Sequence, residues 1–182
     1  MENMYTANQV CLMNDFRKLW EQHVYWTRFF IISTAADLGD LKYVTARLLQ
    51  NPGDFAKIFE RFYGEKTAEY FKKLFTEHLM IAGDLVNAAK NKETEKVKIL
   101  GEKWYKNAED IACFLAEINP FWSKEEWKKM MFCHLEMTEK EVVLRLMSKY
   151  PQDIMIFDEI EKEALKMADC MSRGIISQFR YK

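Results

Sequence analysis

The sequence predicts an all-α protein, an antiparallel bundle of about five long helices and two short ones. Three observations predict it. Apolar residues recur at helical spacing along most of the 182 residues. Only six Gly and three Pro occur, and they fall mostly where helices should end. No β-branched alternation is flanked by the Asn-Gly or Asp-Gly turns of hairpins.

The first helix is expected over about 7–36, with Leu12, Phe16, Leu19, Trp20, His23, Thr27 and Phe30 on one face. Gly39 closes the connection, and Asp40 is placed to cap a short helix through Leu49. Asn51-Pro52 restarts the chain: Asn51 is placed to cap, and Pro52 needs no donor at the first helical position. That helix runs to Tyr63, where Gly64 supplies a left-handed stop. A long helix over 66–90 puts Phe71, Leu74, Phe75, His78, Ile81, Ala82 and Leu85 on one face. Another over 93–118 turns Trp104, Ala108, Ile111 and Leu115 inward and ends at Asn119-Pro120.

Ser123-x-x-Glu126 has the pattern of a capping box for the next helix, which carries Trp127, Met131 and His134. Thr138-x-x-Glu141 has the same pattern and predicts a break or kink near Met137. The last helix follows Pro151, over about 152–177, with Phe157, Ile160, Ala164 and Met171 in a stripe. No linker rich in Pro, Gly or Ser divides the chain, so one domain over 1–182 is expected.

Composition narrows the function. Hydrophobic residues make up 49% and charged residues 30%, a globular balance with an unusual 14% of aromatics and 11 Met to fill a core. With 27 basic and 28 acidic residues there is no electrostatic footprint for nucleic acid. Lys90, Lys92, Lys96, Lys98, Lys103 and Lys106 are interleaved with Glu93, Glu95 and Glu102, the pattern of a solvated helix face. Residues 1–9 lack the apolar run of a signal peptide, and Phe29-Phe30-Ile31-Ile32 is too short to cross a bilayer. A cytoplasmic protein with no membrane partner is the expectation. Cys11, Cys113, Cys133 and Cys170 form no CxxC pair and read as reduced, mostly buried small hydrophobes. Nucleotide chemistry finds no phosphate loop and no G-x-G-x-x-G turn.

The chemistry-bearing residues are the three histidines. His23, His78 and His134 each sit near the middle of a helix among apolar residues. In an up-down bundle such positions share a layer, so three imidazoles can converge. Asp158 and Glu161, three apart on the last helix, border its apolar stripe and could add carboxylates at that depth. Imidazole and carboxylate together suit a divalent transition metal such as iron, zinc, manganese or copper. The chain has no Glu-x-x-His, which argues against a carboxylate-bridged di-iron centre. A metal-binding bundle with His23, His78, His134, Asp158 and Glu161 as ligands is therefore the leading expectation. The metal would be stored, sensed or used in redox chemistry. The alternative is a non-catalytic interaction or structural bundle, with the histidines as core hydrogen-bonding residues and a Trp- and Phe-rich surface for a partner or a homodimer. An enzyme acting on a small apolar substrate is a third reading and requires an internal pocket. Arg28, in a largely apolar run, is either a buried ion-pair partner or a snorkelling surface residue.

Five segments carry a resemblance. Leu19-Trp20-Glu21-Gln22-His23-Val24-Tyr25-Trp26-Thr27-Arg28 resembles the start of a family of small bacterial proteins common in Gram-positive spore formers, sometimes labelled acetylglutamate kinase. Residues 44–56, 78–90, 104–122 and 157–169 share the likeness. The resemblance implies an all-helical fold in a bacterial cytoplasm or developing spore. It implies no kinase activity, because this chain has neither the strands nor the glycine-rich phosphate loops of that enzyme.

Overall fold

A computed structural model describes residues 5–181. Seven helices account for nearly all of them: α1 (Ala7–Ala35), α2 (Leu41–Leu48), α3 (Asn51–Tyr63), α4 (Glu65–Lys90), α5 (Thr94–Ile118), α6 (Lys124–Leu146) and α7 (Tyr150–Phe179). No strand is present among the described residues. Five helices are long and two are short, as the periodicity predicts.

The short connections after α4, α5 and α6 turn the chain back each time, so α4 and α6 run in one direction and α5 and α7 in the other. α7 packs along α1, which closes the ring, and α3 bridges α1 and α4. α1, α4 and α6 therefore point the same way. The main core joins α1, α3, α4, α5, α6 and α7 through Phe16, Phe59, Phe71, Ala108, Met131 and Met167, all buried. A second, smaller cluster lies at one end, where Phe30, Val44, Leu48, Leu79 and Val142 meet under α2.

Local chemistry explains most boundaries and corrects some expectations. Thr6 and Gln9 form a reciprocal capping box at the start of α1. The Gln9 side chain also donates to the Tyr181 carbonyl, 2.6 Å away, tying the two ends of the described chain. Gly64 has φ +79°, a conformation that disfavours any other residue, and joins α3 directly to α4. Asp40 makes no cap; its carboxylate accepts from the Ser33 hydroxyl at 2.8 Å. Asn51 is not a cap either. It is fully buried and donates to the Leu19 carbonyl of α1 at 3.0 Å. The kink expected near Met137 is absent, because α6 runs unbroken to Leu146. Thr138 donates to the carbonyl of His134 one turn back, at 2.8 Å, and Glu141 turns inward to Arg28.

Gly174 on α7 has a different task. A Cβ built there would lie 1.9 Å from Trp122 Nε1 and 2.4 Å from its Cδ1. The indole rests on the bare backbone of α7 and donates to the Cys170 carbonyl at 3.1 Å. At Gly83 of α4, the nearest atom to an added Cβ is Phe30 Cζ at 3.6 Å, an ordinary contact. Gly174→Ala should destabilise by about 2–3 kcal/mol through overpacking. Gly83→Ala should stabilise by about 0.5–1 kcal/mol, because glycine is a poor helix former. Urea unfolding of the two variants measures both, and opposite signs are expected.

Candidate functional site

The histidines do converge. The His23 and His134 ring centroids are 5.6 Å apart. Phe75 stacks on both His23, at 5.1 Å, and His78, at 6.1 Å, and Trp104 lies against His78 at 5.3 Å. His78 Nδ1 shares a 2.8 Å hydrogen bond with Asn107 Oδ1. The Asn107 amide in turn donates to the Leu74 carbonyl at 3.2 Å. The layer is a mixed stack of imidazoles and aromatic rings at the centre of the bundle.

This layer is not a metal centre. Among the described residues no group of three or more His, Cys, Asp or Glu side chains is placed to hold a metal ion. The expected ligand set of His23, His78, His134, Asp158 and Glu161 is therefore corrected, and the physical reasons are local. Phe75 stacks on both His23 and His78, and the Nδ1 of His78 is spent on Asn107. The inner stripe of α7 is built from Phe157, Ile160 and Ala164, which leaves the carboxylates on its flank. Asp158 is exposed, and Glu161 accepts from the Tyr25 hydroxyl at 2.7 Å.

Burial keeps the imidazoles neutral. His78 is pushed down to about 4, with Asn107 opposing, and His134 to about 3. His23 is held well below the ordinary histidine range by burial first and by His134 and His78 next. The Nδ1 atoms of His23 and His134 are buried without a protein hydrogen-bond partner.

The carboxylates that do enter the core belong to another cluster. Arg28 of α1 donates to Glu141 of α6 at 2.5 Å and to Asp153 of α7 at 2.6 Å, and Arg145 reaches Asp153 at 3.0 Å. The Arg28 guanidinium also lies 4.7 Å from the centroid of the Phe157 ring. Arg28 is thus the buried ion-pair partner of the two alternatives. Burial holds the Glu141 carboxyl up, to about 7, with Arg28 pulling the other way. The cluster clamps three helices and leaves no cation unpaired, which makes it structural.

A cavity of about 280 Å³ lies one helical turn beyond the imidazole layer. Its position follows from the shared direction of α1, α4 and α6. Thr27, Ala82 and Thr138 line it, and each stands four residues after His23, His78 and His134 respectively. Trp104 is its floor, with His78 on the other side of the indole. Phe30, Leu79 and Val142 form much of its wall, and Leu48 of α2, with Leu49 just after it, covers it. None of the three histidines lines it. It opens where α2 faces α4, since Leu49, Met80 and Asp84 are exposed there.

Of the expected Trp- and Phe-rich surface, the Trp part is corrected: Trp20, Trp104, Trp122 and Trp127 are buried, whereas Phe29, Phe121 and Phe179 are exposed. Cys11 and Cys133 are exposed rather than buried, and all four cysteines are free thiols. No described helix is long and apolar enough to cross a membrane. No known protein family, curated protein or solved structure matches the chain.

The neutral imidazoles set a pH dependence. Below about 6.5 the unfolded chain takes up three imidazole protons; the folded chain refuses those of His78 and His134 until about 4 and about 3, and His23 is also held well below the ordinary range, so stability falls as pH drops through that window. Glu141 acts oppositely: folded, it keeps a proton between about 4.5 and 7 that the unfolded chain has released. The net is about two protons between pH 6.5 and 4.5, a slope on the order of 3 kcal/mol per pH unit. His134→Leu should halve that slope in urea titrations at pH 5 and 6. An unchanged slope would mean that His134 is charged in the native state.

Proposed function

We propose that this protein is a non-catalytic, small-molecule-binding helical bundle, with the cavity between α1, α2, α4 and α6 as its site. The observation that carries the reading is the cavity itself. Protein interiors are close-packed, and voids larger than a water are few. About 280 Å³ of apolar space is roughly twice the ~150 Å³ that accommodates a benzene ring. Closing it would need only larger side chains at Ala82, Gly83 or Thr45, all of which line it.

Its construction suits binding. The walls are apolar side chains of rigid helices, and one short helix, α2, forms the cover. Arg47 of the cover lies over the Trp26 ring of α1 at 5.3 Å, and Lys90 of α4 ties down the connection that leads into α2 by donating to the Thr34 carbonyl at 2.7 Å and pairing with Asp37. The absence of an imidazole or thiol from the lining supports binding over turnover. We place this activity in the cytoplasm, where four free thiols stay reduced.

Naphthalene, a neutral probe of suitable size, should bind with a Kd on the order of 100 µM, read by fluorescence and calorimetry. Gly83→Leu and, independently, Thr45→Phe should each weaken binding at least about tenfold while the fold is retained, because the added carbons occupy the ligand's space. Binding that survives both substitutions would show that naphthalene sits elsewhere and remove the basis of this reading.

A further inference from the structure

The charges around the cavity select what enters it. Two ionisable residues line it, Asp84 of α4 and Glu139 of α6, and both are acidic. No Lys or Arg is among the lining residues. Elsewhere several carboxylates that approach the core have cationic partners, Glu141 and Asp153 with Arg28, Asp169 with Arg17 and Glu163 with Lys166, while Glu161 accepts from the Tyr25 hydroxyl. Asp84 and Glu139 are in no ion pair among the described residues. Glu139 is half-buried, where its charge is less screened than at an open surface, so leaving it without a cation is unfavourable. Burial raises its affinity for a proton, with Glu136 adding to the effect and a hydrogen bond from Tyr105 opposing it.

Two polar atoms on lining residues also lack partners. Trp104 is 3% exposed, and its indole Nε1 is buried without an acceptor. The Thr27 hydroxyl oxygen is buried without a partner as well. Buried indole N–H groups normally find an acceptor. The cavity thus offers an apolar wall bordered by two carboxylates, neither with a cationic partner and one of them, Glu139, hydrogen-bonded to Tyr105.

We infer that the ligand class is an amphipathic amine: an apolar body of roughly ten to fifteen heavy atoms seated against Phe30, Leu79 and Val142, with its cationic end beside Asp84 and Glu139. This rests on the binding reading above and names the chemistry of the same site. A carboxylate-bearing amphipath of equal size is excluded by like charge.

The test holds the body constant and changes the head. 4-Phenylbutylamine, 4-phenylbutan-1-ol and 4-phenylbutanoic acid are titrated calorimetrically into the full chain at pH 7.5 and low salt, with naphthalene as the neutral control. The amine should bind about tenfold tighter than the alcohol, and the acid at least about tenfold weaker than the alcohol. Asp84→Asn combined with Glu139→Gln should bring the amine to within about twofold of the alcohol and leave the alcohol unchanged. Raising the salt to about 0.5 M should shrink the amine's advantage and not the alcohol's affinity. Equal binding of amine and alcohol, tighter binding of the acid, or an amine advantage that survives the double substitution overturns the inference while the cavity remains a binding site. Failure of all four compounds to bind overturns the binding reading itself.

Discussion

Trp104 is the plane on which this structure turns. One face of its indole meets His78 in the central ring layer, and the indole also forms the floor of the cavity. Below it, His23, Phe75, His78 and His134 stack in a region dry enough to keep three imidazoles neutral. Above it, the same three helices run on for another turn and are no longer filled. The tight layer and the open space are consecutive levels of one bundle. The rigidity of the first makes the second possible: a cavity persists only where surrounding side chains cannot collapse into it.

The polar content of the core divides by function along the same axis. The Arg28, Glu141, Asp153 and Arg145 cluster lies at the junction of α1, α6 and α7, and its charges satisfy one another. Breaking such a buried network costs several kcal/mol, so it fixes the relative positions of those helices. Asn51 plays a similar part for α3 by donating to a carbonyl of α1. Asp84 and Glu139 differ from these. They border the open space and form no ion pair among the described residues, which leaves the cavity's rim acidic.

Much of this architecture was legible in the sequence, because helix number, length and inward faces depend on local periodicity. Leu12, Phe16, Leu19, Trp20 and His23 point inward because helical spacing puts them on one face. The Ser123 cap of α6 was equally readable from its spacing, and its hydroxyl accepts from the Glu126 N–H. Errors arose where one pattern serves two purposes. Thr138-x-x-Glu141 has the form of a helix start, yet within a continuous helix Thr138 bonds the preceding turn and Glu141 meets Arg28. Asp158 and Glu161 border the inner stripe of α7, and a small rotation decides whether such residues face core or solvent. The convergence of the histidines followed from mid-helix position. Their failure to form a ligand set did not, because Asn107 and Phe75 reach them from separate places in the chain. The cavity had no sequence signal, since its wall is drawn from five helices and its volume depends on what those side chains leave unfilled.

The central claim is that the space above Trp104 is a persistent, dry, apolar cavity. Xenon occupies such cavities and avoids packed or water-filled regions. Crystals of the protein held under xenon pressure should show an ordered xenon atom in contact with Phe30, Leu79 and Val142. No xenon at that position would contradict the account, and a chain of ordered waters there, or side chains collapsed into the space, would show why.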